Sequence, residues 1–189
     1  YNLSYKYKTR KKMNDKKHVV ILGSGTAGAM LANKISKKDE VMVTVIDSAT
    51  EHYYQPGFLF APFGKLDSSK LSKPTTDVIK DSVYFLNQYA KSINAENKTV
   101  TTEVDTEVSY DVLVVATGTH ADASITEGMT DEAGWRKNIF DFYSPDGAEA
   151  LHSALQAFTG GRLVVQITEM PIKCPVAPLE FAFLLDEYL

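Results

Sequence analysis

Four apolar residues, Val19–Val20–Ile21–Leu22, run straight into Gly23–Ser24–Gly25–Thr26–Ala27–Gly28, a G-x-G-x-x-G turn. A strand entering such a turn and leaving it as a helix restricts the chain to a β-α-β unit whose turn receives a pyrophosphate. Gly23 permits the tight bend, Gly25 lets the backbone approach the phosphates, and Gly28 lets the helix pack closely on the strand. Thr26 and Ala27 complete the turn. The helix expected from Ala29 to about Lys37 aims its N-terminal N–H groups at the anion. The motif alone is weak, and its context makes it specific. A second apolar run, Val41–Met42–Val43–Thr44–Val45–Ile46, ends in Asp47, 19 residues beyond Gly28. An acid at that distance is placed to accept hydrogen bonds from ribose hydroxyls.

With 189 residues, 44% of them hydrophobic, the chain can bury one core and begin a second. The net charge of −4 gives no ground for expecting nucleic acid as a partner. No stretch reaches the ~18 consecutive apolar residues of a membrane-spanning helix, and no signal peptide is visible. Attachment to a membrane surface stays open. The single cysteine, Cys174, excludes an intrachain disulfide within these residues. His18, His52, His120 and His152 show no metal-ligand spacing, so no metal site is expected. All four read as ordinary loop or surface histidines, with His120 the weak functional candidate among them. Residues 1–12 are basic and lack an apolar period, so Met13 reads as the natural start and 1–16 as a disordered tail, a native basic arm being the alternative. At the other end, Leu179–Leu189 is an apolar helical pattern that stops without Gly or Pro, as a fragment would.

Between these ends the pattern changes several times. Glu51–Phe63 is rich in aromatics and broken by Pro56 and Pro62, so it is neither a long helix nor a central strand. Such a loop leaves the strand edge where doubly wound sheets bind ligands, or it plugs the core. Val83–Ile93 reads as a strand, Asn94–Asn97 as a turn and Lys98–Glu103 as an alternating strand, a small antiparallel excursion. Tyr110–Val115 is a buried strand ending in the small-residue turn Ala116–Thr117–Gly118. A long irregular segment, 119–145, precedes an amphipathic helix from Pro145 to about Phe158. Gly160–Gly161 ends that helix, and Arg162–Ile167 reads as a fresh strand.

That order of elements resembles the flavoproteins built from two dinucleotide-binding domains, over roughly Lys17–Leu189. The resemblance implies FAD at the first site rather than NAD, with Ala116, Thr117 and Gly118 close to the flavin. The expected fold is α/β: a Rossmann-like FAD-binding domain with an antiparallel hairpin excursion (17–118), a connecting segment and helix (119–159), and the truncated start of a second Rossmann-like domain (160–189). In relatives that use NAD(P)H, the second strand enters another Gly-rich turn. Here no glycine follows Gly161, and Pro171, Pro175 and Pro178 stiffen the backbone and remove N–H donors. A nicotinamide nucleotide therefore fits poorly.

A cysteine occupies that turn instead. Cys174 precedes a helix N-terminus and follows Lys173, two positive influences that favour a thiolate; the bland alternative is a buried, inert thiol. Pro171–Ile172–Lys173–Cys174–Pro175–Val176–Ala177–Pro178–Leu179–Glu180 resembles the active-site turn of sulfide:quinone oxidoreductases. The resemblance implies that Cys174 is one of two redox cysteines flanking the flavin. Sulfide would be oxidised and a membrane quinone reduced, on the membrane periphery at the cytoplasmic side. Glu180 matches an acid that some members use near the quinone, although its spacing equally suits a solvent-facing helix residue. The family's second cysteine, its late Gly-Asp motif and its membrane-binding helices belong to a carboxyl-terminal half that these residues do not include. The flavin subunit of a flavocytochrome sulfide dehydrogenase, a type II NADH dehydrogenase and a non-catalytic nucleotide-binding module are the alternatives. Nothing in the sequence sets the oligomeric state.

Overall fold

The computed structural model describes residues 16–132 and 134–189, so most of the expected basic tail lies outside the described residues. The chain divides into two compact units: one comprising residues up to His52 together with Lys73–Gly118, the other Tyr53–Ser72 with Thr119–Leu189.

The first unit is built on a parallel sheet. Strand β1 (Lys17–Leu22) leads through the glycine turn into helix α1 (Thr26–Ile35), and β2 (Val41–Ile46) follows. Strands β1 and β2 pair in parallel from Lys17↔Val41 to Leu22↔Ile46, so both end at the same level. Short strands β3 (Glu51–Tyr53) and β4 (Ser72–Pro74) lie where the chain leaves this unit and re-enters it, and a one-turn helix α2 (Thr75–Val78) follows. Strand β5 (Tyr84–Leu86) pairs with the outer side of β2, while β9 (Val112–Val115) pairs with the far side of β1. The order β5-β2-β1-β9 means that the chain turns one way from β1 and later returns to its other side. That reversal opens a crevice at the carboxyl ends of β1 and β9, the place where sheets of this kind receive ligands.

Alternation along β1 divides the core between the two faces. Ile21 packs with Ala29 and Ala32 of α1, Val43, Val45, Ile79 and Val83. Val20 and Leu22 point the other way, to Ile46 and Val100. The second face is covered by an antiparallel sheet of β6 (Ala90–Asn94), β7 (Thr99–Thr102) and β8 (Glu107–Ser109). The hairpin excursion therefore serves as a lid on the parallel sheet. Its first turn is closed by the Asn94 side chain, which accepts from the Asn97 N–H at 2.9 Å.

In this unit three expectations shift. The run 83–93 is two strands, because the apolar residues give out at Asn87–Gln88 and the chain moves there from one sheet to the other. Helix α1 begins three residues earlier than expected, since Gly25 already has the extended conformation of a cap (φ −62°, ψ −174°). The strand expected to be buried at 110–115 is a sheet edge: β9 pairs with β1 alone among the described strands, leaving Val112 and Val115 exposed.

The second unit is helical and aromatic. Helix α3 (Pro145–Ala157) is capped by Ser144, whose Oγ accepts from the Gly147 N–H at 3.1 Å, with Pro145 in the first turn. Helix α4 (Ala177–Tyr188) closes the described chain. Phe63, Leu151, Leu155, Phe181 and Leu185 form the core. Within it the rings of Phe142 and Phe181 stack with centroids 4.8 Å apart, and Phe63 tilts against Phe181 at 5.1 Å. Tight 3₁₀ turns at Gln55–Leu59 and Ala61–Phe63 bury Phe58 and Phe63, so in these residues the aromatic loop fills a core. The expected strand at 162–167 does not form. No described strand pairs with it, and Val164 is 70% exposed. An apolar run becomes a strand only when a neighbouring edge accepts its backbone hydrogen bonds.

One titration follows from this packing. His18 on β1 is half-buried, its Nε2 lying 2.8 Å from Thr44 Oγ1 on β2. Burial holds its pKa below the ordinary value, opposed in part by a hydrogen bond to the Ser109 backbone and by the charge of Asp111. The unfolded chain therefore binds this proton more tightly than the folded one. Stability is complete above an unfolded pKa of about 6.5 and declines as pH falls through it. Urea midpoints measured from pH 8 to pH 5 should fall more steeply for the wild type than for His18→Gln. Parallel slopes would mean that His18 contributes nothing to the pH dependence.

Candidate functional site

At the carboxyl ends of β2, β1 and β9 the backbone is fixed by its own hydrogen bonds. The Gly23 N–H donates to Ile46 O at 2.9 Å, and the Ala116 N–H donates to Leu22 O at 2.8 Å. These two bonds bring the glycine turn, Asp47 and the Ala116–Thr117–Gly118 turn to one end of the sheet. Gly23 has φ +98°, and a Cβ there would run into the Ala116 carbonyl. At Gly28 a Cβ would strike the Gly23 carbonyl oxygen, so only glycine lets α1 press onto the end of β1. Gly25 differs from both. A Cβ there meets nothing within 4 Å, and Gly25, Thr26 and Ala27 are all exposed.

Asp47 faces this turn. Its Oδ2 accepts from the Ser24 N–H at 2.6 Å and from the Ser24 hydroxyl at 2.7 Å, while Oδ1 accepts from the Ala49 N–H at 2.9 Å. A carboxylate offers about four acceptor positions, so one position on Oδ1 is left for a ligand hydroxyl. Two further side chains hold the arrangement. The Asn87 amide donates to the Asp47 carbonyl at 2.9 Å, and the Nδ1 of His52 lies 3.0 Å from the Ser24 carbonyl oxygen. Helix α1 has no side-chain cap at Gly25, which leaves its first N–H groups for an anion. An open glycine face, uncapped helical N–H groups and an acid with a vacant acceptor position together suit a pyrophosphate joined to a ribose.

Ser24, His52 and Asn87 were not singled out by sequence reasoning. Ser24 lay inside the motif as a variable position, and His52 read as a loop residue. For Asn87 the signal was there: it is the first polar residue after a strand of the parallel sheet, on the edge that binds ligands.

The other expected residues belong to the second unit. Cys174 is exposed, with a left-handed backbone (φ +56°), in the turn before α4. It is not delivered by a strand, since 162–167 forms none. Its carbonyl accepts from the Ala177 N–H at 3.0 Å and from the Tyr143 hydroxyl at 3.5 Å. Burial, with a smaller contribution from Cys174, raises the Tyr143 pKa above its ordinary value, so the phenol stays a proton-bearing donor. The Lys173 ammonium donates to Gln55 Oε1 at 3.1 Å and to the Thr119 carbonyl at 3.3 Å. It thus ties together three segments of this unit, a role beyond the electrostatic one expected of it. Glu180 is exposed in the first turn of α4. His120 is exposed. Among the described residues, no group of three potential ligands could hold a metal ion.

A Gly-rich turn at the reversal point of a parallel sheet, faced by an acid on the next strand, defines a Rossmann-like nucleotide-binding domain. The profile of the family described as "Pyridine nucleotide-disulphide oxidoreductase" matches residues 17–165, and the chain belongs to that family. It is 26% identical over 171 residues to the mitochondrial sulfide:quinone oxidoreductase of Mus musculus, covering 90% of this chain and 38% of that protein. It is 35% identical over 129 residues to a type II NADH:quinone oxidoreductase of Staphylococcus haemolyticus, covering 66% of this chain and 32% of that one. The solved sulfide:quinone oxidoreductase of Aquifex aeolicus superposes with a TM-score of 0.60 at 25% identity, over 75% of this chain and 32% of that one. The chain thus spans about two fifths or less of these relatives' length. The family makes FAD the cofactor, and the turn geometry suits its pyrophosphate and ribose.

The three glycines should separate fold from binding. Gly23→Ala and Gly28→Ala each force a methyl into backbone and should cost about 2 kcal/mol or more in urea unfolding. Gly25→Ala, with open space and an ordinary φ, should leave the unfolding midpoint of the flavin-free chain no lower while weakening FAD retention, because its methyl occupies the phosphate's approach. Equal losses of stability in all three would contradict this division.

Proposed function

We propose that the chain is part of an FAD-dependent enzyme that oxidises sulfide and passes the electrons to a membrane quinone. The observation that carries the proposal is the solvent-accessible Cys174, held in a left-handed turn at the start of α4 within a family of flavin oxidoreductases. The sulfide:quinone oxidoreductases among its relatives favour the same reading.

Each residue then has a task. Gly25, Thr26 and Ala27 receive the pyrophosphate on the close packing that Gly23 and Gly28 allow, Asp47 takes a ribose hydroxyl, and Ala116, Thr117 and Gly118 line the flavin side. Bound FAD supplies a two-electron acceptor that can hand electrons on to a quinone. Cys174, as thiolate, would form a sulfur–sulfur bond with the substrate sulfur: Cys–S⁻ and HS⁻ become Cys–S–S⁻, with the two electrons going to FAD and the proton to solvent. Tyr143 and the Ala177 N–H hold the carbonyl of Cys174, and Lys173 anchors the turn to Gln55 and Thr119. Glu180, exposed one turn into α4, is suited to passing protons to or from the quinone. Among the described residues no helix is long and apolar enough to cross a membrane, and the proposal places the enzyme on the membrane's cytoplasmic periphery.

The likeness to type II NADH:quinone oxidoreductases supports a second reading, with NADH as the donor. Residues 162–180 argue against it, because they hold three prolines and no glycine where a second pyrophosphate would need N–H donors.

Anaerobic stopped-flow mixing distinguishes the two. Sulfide should bleach the flavin of the holoprotein, and NADH should not. Rapid bleaching by NADH would establish the second reading in its place.

Cys174→Ser should slow reduction by sulfide by several orders of magnitude while FAD stays bound, because a hydroxyl of much higher pKa cannot replace a thiolate nucleophile. A serine variant reduced at the wild-type rate would take Cys174 out of the chemistry and remove the observation that carries the proposal.

A further inference from the structure

We infer that His52 is a positioning residue for the dinucleotide: it aims the Gly25 N–H at the pyrophosphate by holding the Ser24 carbonyl from the opposite side. The inference rests on FAD as the cofactor and assigns a role to a residue outside the glycine motif.

A carbonyl oxygen can only accept, so the His52 nitrogen 3.0 Å from Ser24 O carries the proton. That fixes the ring as a donor through Nδ1. The Ser24 carbonyl and the Gly25 N–H are two ends of one planar trans peptide and point in opposite directions. A donor holding the oxygen therefore sets the direction of the N–H. The preceding peptide is fixed from its other end, since Asp47 Oδ2 accepts from the Ser24 N–H at 2.6 Å. Both peptide planes of the turn are thus set by side chains, Asp47 on the first and His52 on the second. The Gly25 side of the turn is open, with nothing within 4 Å of a Cβ placed there. No side chain caps α1 at this point. Glycine has the widest backbone freedom of any residue, so a peptide leading into an exposed Gly25 needs an external hold to stay aimed. Donation to the Ser24 oxygen also polarises the peptide, which strengthens its N–H as a donor to an anion.

The role is specific to phosphate, and this makes it separable from a general contribution to folding. Binding of FAD, ADP and adenosine to the flavin-free full chain would be measured by titration calorimetry. His52→Phe keeps the ring volume and removes the donor. It should weaken FAD and ADP five- to ten-fold, the size of about one net hydrogen bond, and leave adenosine binding unchanged. His52→Asn places an amide N–H near the position of Nδ1 and should restore most of the lost affinity. Equal weakening of adenosine, unchanged ADP binding in His52→Phe, or an asparagine variant no better than phenylalanine would overturn the role. A wild-type chain that binds neither FAD nor ADP would remove the cofactor assignment itself, and the role of His52 with it.

Discussion

The Ser24–Asp47 contact ties the glycine turn to the end of the neighbouring strand, and the ligand-binding edge depends on it. One carboxylate oxygen takes both the N–H and the hydroxyl of Ser24, at 2.6 and 2.7 Å. Charge-assisted bonds of this length are stronger than neutral ones. They form only because β1 and β2 run in register to their last residues, Leu22 opposite Ile46. A slip of one residue would carry Asp47 past the turn and reverse which strand residues face α1. The apolar alternation that builds the core therefore also sets the geometry of the polar edge.

The absence of side chains is the second requirement. Gly28 presses against the Gly23 carbonyl, and Gly23 against the Ala116 carbonyl. Helix α1 thus begins directly above the end of β1, where its uncapped N–H groups are useful to an anion. Small residues on its inner face, Ala29 and Ala32, continue that close approach down the helix. The turn is close-packed at Gly23 and Gly28 and open at Gly25.

The second unit solves a different problem by different means. Its core is an aromatic stack, Phe63, Phe142 and Phe181, against the leucines of α3 and α4. Packing of this kind fixes where α4 starts, and so where the Cys174 turn lies. The turn itself is held by few bonds: Tyr143 and the Ala177 N–H on one carbonyl, and Lys173 on two loop oxygens. Cys174 adopts φ +56° there, a conformation that a non-glycine residue holds only under constraint from its surroundings. An exposed thiol on an anchored turn is positioned without being buried.

Much of this was legible in the sequence. The strands at 17–22 and 41–46, the glycine turn, the placement of Asp47 facing it, the helix from Pro145 and the antiparallel excursion all follow from local pattern. Alternation, glycine spacing and capping residues act over a few positions, and their physics is written in neighbouring residues. What the sequence left open depended on partners far along the chain. The run 83–93 divides because two different sheets claim its halves. Residues 162–167 are as apolar as a buried strand yet form none, because no described edge accepts their hydrogen bonds. His52 and Asn87 join the site through bonds to residues 28 and 40 positions away. The sequence by itself determined which segments could form a nucleotide-binding β-α-β unit, since that follows from local sterics and periodicity. Only the tertiary structure decided which edges pair and which side chains brace the turn, because a hydrogen bond needs a partner in space and sequence distance does not specify one.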